Sequence, residues 1–219
     1  MKNHENILST CPLFENIGAD DLKKMLVCFG AKVGTYDKKY TIIAEGNPAK
    51  YIGIVLDGSV QMIRVDYYGN RSIIAEVGPG ELFGEAFACA GVDAVPVTVV
   101  ANEASEIMLI DSNHILHTCE NNCGFHQQII YNLMKTLAVK TLAYHRKLEI
   151  TSKRTTRDKL MTYLMLCSEK ERSTSFEIPF DRQELADYLE VERSGLSAEI
   201  GKLKKEGIIE CEKNRFTLL

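Results

Sequence analysis

Residues 180–203 read FDRQELADYLEVERSGLSAEIGKL, and this stretch decides the fold of the C-terminal part of the chain. Asp181 is a predicted N-cap, because its side-chain oxygen can accept a hydrogen bond from a free N–H of the first helical turn. Apolar residues follow at helical spacing in two groups, Leu185, Ala186 and Leu189, then Leu196, Ile200 and Leu203. Gly207 is a predicted C-terminal stop. Two short helices at this spacing are typical of a helix-turn-helix, whose second helix lies in the major groove of DNA; the alternative is an ordinary helical hairpin inside a core.

The segments around this stretch extend the pattern to a winged helix. A helix is predicted from Asp158 to Cys167, and a short strand over residues 176–178 precedes the helix-turn-helix. Two short strands around the polar turn at residues 212–214 then predict a C-terminal β-hairpin, which would be the wing.

A long helical stretch, capped by Asp111 or Ser112, carries one narrow apolar stripe. Its members are spaced 4, 3, 4, 3, 4 and are Ile130, Met134, Leu137, Thr141, Tyr144 and Leu148. Such a heptad seam packs two parallel helices side by side, so it predicts a homodimer. The alternative is that this helix packs on its own β domain, and both packings are compatible on different faces.

Short β-branched runs dominate the chain between residues 40 and 110, and Gly-rich turns separate them. This spacing predicts a sandwich, jelly roll or small barrel. The fold class is therefore α+β, in three parts. We expect a β-roll sensor domain with short N-terminal helices in residues 1–112, a dimerisation helix in 113–150 and a winged helix-turn-helix in 151–219.

Composition and charge describe an ordinary globular chain of 219 residues, 45% apolar and 26% charged. No apolar run is long enough to span a membrane and no signal-peptide core follows the N-terminus, so the expected location is the cytoplasm. The net charge is −4, but it is uneven. Residues 1–139 hold 10 Lys and Arg against 16 Asp and Glu, whereas residues 140–219 hold 16 against 14. The surface compatible with phosphate therefore lies in the C-terminal part.

The order of these parts resembles the CRP/FNR family of bacterial transcription regulators. The most specific motifs are Gly78-x-Gly80-x-x-x-Gly84-Glu85, similar to the phosphate-binding cassette of the family, and residues 182–186 with 207–209 in the helix-turn-helix. The resemblance implies a cyclic-nucleotide-binding-like jelly roll, a double-stranded β-helix. It also implies a homodimer that binds a palindromic operator in double-stranded DNA and acts on RNA polymerase, with no membrane contact.

The same resemblance places the base-reading residues at the start of the second helix of the motif. The matching positions are Arg193, Ser194, Ser197 and Ala198. Arg193 can bond guanine O6 and N7 with both arms of its guanidinium, and the two serines can bond bases or phosphates. Ala198 offers no hydrogen bond where the family commonly carries a charged residue. Lys202, Lys204 and Lys205, further along the helix, are candidate phosphate contacts, and the alternative is that they are solvated charges.

The resemblance also points to an effector pocket, which we expect to include Gly84, Glu85, Val95, Pro96, Thr141 and Tyr144. Cyclic-nucleotide-binding members carry an Arg-Ser pair where this chain has Val95 and Pro96. No Lys or Arg occurs between Arg71 and Lys135, whereas eight acidic residues do. A buried phosphate without a cation is unfavourable, so cyclic AMP is not expected and a small neutral or apolar effector is favoured. The alternative is that the residues expected to line this pocket are simply part of the hydrophobic core.

A second candidate sensor lies in residues 114–126, which contain three His and two Cys. Cys119, Cys123 and His126 are candidate ligands for a metal or haem, and the two thiols are candidates for redox chemistry. The alternative is a purely structural role, and no cofactor is identified.

A β jelly roll also occurs in cupin enzymes, which carry a His-rich metal site inside the barrel. No His occurs between His4 and His114, so the strands lack the His-rich metal site of a cupin enzyme and no enzyme activity is expected. The remaining alternative is a stand-alone small-molecule or metal/redox sensing module without promoter-specific DNA binding.

Overall fold

The structure is a computed structural model that describes residues 4–116 and 125–219. The chain forms two compact units, one of Met1–Val65 with Ile74–Thr141 and the other of Asp66–Ile73 with Leu142–Leu219. Each unit has its own buried apolar residues, and each is described separately below. The domain boundaries predicted at residues 112 and 150 remain predictions.

The first unit begins with short helices that cover one side of its core. Helix α1 spans Glu5–Thr10, a 3-10 helix spans Pro12–Phe14, and α2 spans Ala19–Cys28. These helices are held by buried apolar side chains at Leu8, Leu13, Phe14, Leu22, Met25 and Leu26. The short helices predicted for this region are confirmed.

Eight strands of the described residues follow, all in the first unit except the first three residues of β5: β1 Lys32–Tyr36, β2 Thr41–Ile43, β3 Tyr51–Asp57, β4 Val60–Val65, β5 Arg71–Val77, β6 Leu82–Phe83, β7 Thr98–Ala101 and β8 Ser105–Asp111. They form two four-stranded sheets with strand orders β1-β8-β3-β6 and β2-β7-β4-β5. The pairs β1–β8, β3–β8, β3–β6, β2–β7 and β4–β7 are antiparallel. The β-rich N-terminal domain is therefore confirmed, although β1 and β6 were not predicted.

Gly53 explains how β3 and β6 pack so closely. A Cβ atom at Gly53 would lie 2.1 Å from the ring of Phe83, which is completely buried. Since real Cβ contacts are never this short, only glycine lets the Phe83 ring cross the strand. After β6 the chain enters α3, Glu85–Ala90, which brings Glu85 next to this core.

Helices α4, Ser112–Leu116, and α5, His126–Thr151, follow the last strand of this unit. Ile129 and Leu133 on α5 are buried in the same apolar cluster as the N-terminal helices. The predicted packing of this helix on its own β domain is therefore confirmed for this face. Residues 117–124, which the predicted long helix also included, lie outside the described residues.

The second unit contains the C-terminal elements: α6 Thr156–Glu171, β9 Ser175–Glu177, α7 Arg182–Leu189, α8 Arg193–Lys205, β10 Ile209–Glu212 and β11 Arg215–Leu218. The strands form one antiparallel sheet in the order β10-β11-β9. The predicted winged helix-turn-helix is confirmed, and the strand predicted over residues 176–178 is β9, which pairs with β11 of the wing. None of the helices in residues 4–116 and 125–219 combines the length and apolar character needed to cross a bilayer.

Candidate DNA-binding and effector sites

Helix α7 starts with a complete capping box, which fixes the entry to the helix-turn-helix. The Asp181 carboxylate accepts hydrogen bonds from the backbone N–H groups of Gln183 at 2.7 Å and Glu184 at 2.8 Å. The Asp181 N–H in turn donates to the Glu184 carboxylate at 2.9 Å. Helix α7 ends where Glu190 adopts a left-handed conformation with φ of 54°, and the chain turns into α8 two residues later.

Helix α8 has one buried face and one exposed face. Leu196, Ile200 and Leu203 are buried. Arg193, Ser194, Ser197 and Ala198 are all exposed, in the first two turns of the helix. Arg193 makes no hydrogen bond or ion pair with any residue in the described part of the chain. Its guanidinium therefore keeps all its donors for an external acceptor.

A guanidinium from α6 holds α8 in place. Arg157 donates to both carboxylate oxygens of Glu206, at 3.1 and 2.5 Å, and lies 3.6 Å from the Glu199 carboxylate. The hydrogen bond from Arg157 lowers the pKa of Glu206. Arg157 is therefore a positioning residue for α8. In the sequence it belongs to the basic run Lys153-Arg154-Thr155-Thr156-Arg157, which predicts a hinge and gives no sign of this role.

The lysines at the end of α8 differ in what they contact. Lys202 lies 3.2 Å from the Glu199 carboxylate, although its side chain is 65% exposed. Lys204 donates to the carbonyl oxygen of Cys211 in the wing at 3.1 Å. Lys205 is exposed and makes no hydrogen bond or ion pair within the described ranges. Of the three lysines that the sequence offers as phosphate contacts or solvated charges, Lys205 is the one that has no such partner among the described residues.

Arg182 connects α7 to the wing. Its guanidinium donates to the carbonyl oxygen of Lys213 at 3.3 Å and lies over the ring of Phe216, with 5.8 Å between the guanidinium carbon and the ring centroid. Lys213 and Arg215 are exposed on the wing. The wing therefore presents two basic side chains and is held to the first helix of the motif.

Two lysines hold the C-terminal end of α7. Lys147 of α5 lies 3.5 Å from the centroid of the Tyr188 ring and donates to the Tyr188 carbonyl oxygen. Lys159 of α6 donates to the carbonyl oxygen of Glu190 at 3.1 Å. Burial lowers the pKa of Lys147 to about 8 and raises the pKa of Tyr188 to about 12. Cations at a helix C-terminus are favourable because they meet its free carbonyl groups.

The predicted dimer seam divides by exposure along α5. Met134 and Leu148 are 58% and 64% exposed, and Thr141 is also exposed, whereas Ile130, Leu137 and Tyr144 are half-buried. Leu137 packs in part against the core of the first unit. Tyr131 and Leu142 are exposed apolar residues near the same line of the helix. The seam stays a prediction, and its exposed centre runs through Met134, Thr141 and Leu148.

The predicted effector residues separate into two groups. Gly84 and Val95 line a cavity of about 260 Å³, whereas Glu85, Pro96, Thr141 and Tyr144 are not among its described lining residues. Val95 is buried in the core, Pro96 is exposed, and the Thr141 hydroxyl donates to the Leu137 carbonyl oxygen. Gly84 has φ of 77°, and a Cβ there would lie 3.1 Å from the Tyr51 carbonyl oxygen, which explains the glycine.

Glu85 has a partner that sequence reasoning missed. Glu85 is buried, and its Oε1 lies 2.8 Å from Nζ of Lys140 on α5. Lys140 also donates to the carbonyl oxygen of Leu82. The sequence signal was the gap without Lys or Arg from 72 to 134, since a buried carboxylate there needs a cation from elsewhere.

A second cavity, of about 520 Å³, lies beside the N-terminal helices of the first unit. Its apolar lining includes Leu8, Phe14, Leu22, Leu26, Val33 and Met108. No motif in the sequence indicated it, because its walls come from core residues of separate elements.

The candidate metal ligands can be located only in part. Cys119 and Cys123 lie outside the described residues. His126 is buried, and its Nε2 lies 2.9 Å from the Ile115 carbonyl oxygen. Among residues 4–116 and 125–219 no group of three or more His, Cys, Asp or Glu side chains could hold a metal ion. Burial raises the pKa of Cys11 to about 11, which disfavours its reactive thiolate form.

Comparisons with known proteins agree with this architecture. The family model described as "Cyclic nucleotide-binding domain" matches residues 33–122, and the one described as "Crp-like helix-turn-helix domain" matches residues 158–219. A "Probable transcriptional activator" of Rhizobium leguminosarum bv. viciae is 25% identical over 188 residues, covering 81% of this chain and 73% of that protein.

Solved structures share the fold at lower identity. FixK2 from Bradyrhizobium japonicum matches with a TM-score of 0.67 and 20% identity, over 86% of this chain and 92% of that one. The c-di-GMP responsive global regulator CLP of Xanthomonas campestris matches with a TM-score of 0.75 and 19% identity, over 92% and 99% of the two chains. With both domain models matched in this order, the chain belongs to the CRP/FNR family of transcription regulators, which carry a helix-turn-helix DNA-binding domain.

Proposed function

We propose that this regulator is a homodimer that binds a palindromic operator and reads it with Arg193, Ser194 and Ser197. The observation that carries the proposal is the exposed first turn of α8, where the Arg193 side chain makes no hydrogen bond or ion pair within the described residues. The helix behind it is fixed by buried leucines and by Arg157, so the reading residues are presented on a rigid support.

Arg193 is the residue proposed to give base specificity. Its planar guanidinium matches the O6 and N7 acceptors of guanine in the major groove. Ser194 and Ser197 are short, exposed hydroxyl donors in the same two turns. Lys202, Lys205 and the wing residues Lys213 and Arg215 are proposed to contact phosphates, which fix the position of the protein without reading sequence.

Dimerisation is proposed along α5, through Met134, Thr141 and Leu148, with the half-buried Ile130, Leu137 and Tyr144 at its edge. Apolar side chains that are more than half exposed on one stripe of a long helix favour a second helix against them. A two-fold dimer delivers two copies of α8 to two half-sites, which is why a palindrome is expected. By family membership we also propose action on RNA polymerase, on DNA in the bacterial cytoplasm.

The proposed regulator does not use a cyclic nucleotide as effector. Val95 is buried and uncharged, and Pro96 is exposed, so neither position supplies a cation for a phosphate. The Glu85 carboxylate is already bound to Lys140. If an effector binds, the cavity beside Gly84 suits a small and largely apolar molecule, because Phe87, Val95 and Val99 line it. Asn47 and Lys50 are polar residues of the same lining.

Selection from a pool of random double-stranded DNA, with the purified full-length protein, tests the function directly. A palindromic sequence motif should emerge, and Arg193→Ala should lose about 1–3 kcal/mol of discrimination at one position of each half-site. Binding constants for single-base variants of the selected operator measure this change.

Lys205→Ala is the matched control on the same helix. As a phosphate contact, Lys205 should weaken binding equally for all sequences and reduce the salt dependence of binding. If Arg193→Ala behaved in the same way as Lys205→Ala, Arg193 would be a phosphate contact. If no sequence were enriched from the pool, the proposed function itself would be wrong.

A further inference from the structure

The Glu85–Lys140 pair differs from the surface ion pairs of the first unit. The side chains of Glu85 and Lys140 are 3% and 23% exposed, and 2.8 Å separates their charged atoms. Lys135, also on α5, pairs with Glu15 at 2.7 Å, but those side chains are 51% and 45% exposed. Water replaces a partner lost from an exposed pair, whereas it replaces a buried partner poorly.

Residues 82–85 present two oxygen acceptors to the Lys140 ammonium, the carbonyl oxygen of Leu82 and the carboxylate of Glu85. A primary ammonium carries three N–H donors, so two acceptors from one short segment match its chemistry. This arrangement is a binding site for a cation, whereas the phosphate-binding cassette that the sequence resembles would take an anion.

The second carboxylate oxygen of Glu85 strengthens the need for a cation. This Oε2 atom is buried and has no hydrogen-bond partner in the described structure. Residues 72–134 contain no Lys or Arg, so α5 supplies the positive charge with Lys140. Without Lys140, a buried carboxylate would lose its only charged partner among the described residues, which is strongly unfavourable.

We propose that Leu82 and Glu85 form an ammonium-binding site and that Lys140 is its tethered ligand, so the regulator reaches its DNA-binding state without a diffusible effector. The second half of this statement rests on the proposed DNA-binding function. Helix α5 continues from Lys140 into the residues of the second unit, so the site lies on the element through which the chain reaches its DNA-binding part.

Chemical rescue of Lys140→Ala tests the ammonium site without DNA. The substitution removes an alkylammonium of the length of n-propylammonium. We expect the melting temperature of the full chain to fall by about 5 °C or more. Addition of n-propylammonium chloride should restore it, whereas tetramethylammonium chloride at equal concentration should not, because it has no N–H donor.

Lys135→Ala is the matched control, since Lys135 lies on the same helix in an exposed pair. Its melting temperature should not respond to n-propylammonium. Rescue of Lys140→Ala should also disappear when Glu85→Gln is added. The assignment of the ammonium site would be overturned if n-propylammonium and tetramethylammonium acted alike on Lys140→Ala. It would also be overturned if n-propylammonium still raised the melting temperature of the double variant Glu85→Gln/Lys140→Ala.

DNA binding gives the second readout. Wild type should bind its selected operator without any added ligand. The operator affinity of Lys140→Ala should be about 5- to 150-fold lower, and n-propylammonium should restore it. If Lys140→Ala does not fold, the neutral double variant Glu85→Gln/Lys140→Met takes its place and should show the same loss. Operator affinity equal to wild type in the variant would overturn the regulatory half of the proposal. Failure of wild type to bind any DNA would instead refute the proposed function, and the thermal rescue would still decide the ammonium site.

Discussion

The partners of Arg157 and Arg193 in the fold differ, although both are arginines of the C-terminal part of the chain. Arg157 lies in a basic cluster that looks suited to DNA, yet its guanidinium is bound to Glu206 and lies near Glu199. Arg193 has the same side chain and remains uncommitted among the described residues. The side chain alone therefore does not separate a positioning arginine from a reading arginine; the partners within the fold do.

Lys147 provides a prediction at the residue scale. Burial lowers the pKa of Lys147 to about 8. The negative charge of Glu190 opposes this effect and the positive charge of Lys159 adds to it. The unfolded chain keeps this proton up to about pH 10.5, so the unfolded state binds more protons than the folded state between these values. The free energy of unfolding should therefore rise with pH across this window.

The measurement compares wild type with Lys147→Met by urea unfolding at several pH values. From about pH 7 to about pH 9.5, wild type should gain about 1–2 kcal/mol relative to the variant. Tyr188, whose pKa burial raises to about 12, stays neutral in this range and does not contribute. A difference between the two proteins that does not change with pH would show that the Lys147 ammonium is not penalised by burial.

At the scale of elements, α5 has two faces with different roles. Ile129 and Leu133 are buried against the first unit, whereas Met134 and Val139 are both exposed apolar residues. Val139 lies five residues after Met134, about 140° around the helix, so the two side chains point to different sides. Only the Met134 side continues through Thr141 to Leu148.

This difference gives a prediction with a built-in control. Met134→Glu should place a charge from each protomer in the seam and weaken the dimer by about 2 kcal/mol or more. Val139→Glu should leave the dimer intact. Analytical ultracentrifugation of both variants over a range of concentrations measures the effect. Dissociation by Val139→Glu, with no change for Met134→Glu, would place the partner on the other side of the helix.

The elements with local signals were predictable from sequence. Asp181 and Glu184 form the capping box expected at the start of α7, and Gly207 has the positive φ expected after α8. Strand β6 was not predicted because it has only two residues, and α3 because it has six. Lys140 was missed for another reason: it follows Glu85 by more than fifty residues, and no local pattern records a contact at that separation.

At the scale of the whole molecule, the absence of Lys and Arg from residues 72–134 limits which ligands the first unit can bind. Cyclic AMP would place a phosphate near Val95 and Pro96, which carry no charge, and the Lys140 ammonium is already paired with Glu85. Lys50 also lines the cavity beside Val95, and it is an exposed residue. An uncompensated buried phosphate is unfavourable because it loses its hydration.

We therefore expect that cyclic AMP at about 1 mM does not bind, so that the operator affinity and the melting temperature of the full chain stay unchanged. The melting temperature reports binding because a ligand that binds only the folded state raises its stability. Fluorescence anisotropy with labelled operator and differential scanning fluorimetry measure the two quantities. A rise in either quantity would contradict this expectation and would show that Lys50 or the backbone N–H groups near Gly84 compensate the phosphate.

The bond between Glu85 and Lys140 has a consequence for the cell. A ligand carried on the same chain as its site has an effective concentration that dilution does not change. Its occupancy therefore does not follow the level of any metabolite, and it is the same at low and high protein copy number. The signal that such a regulator transmits would then be its own abundance, set by how fast it is made and degraded.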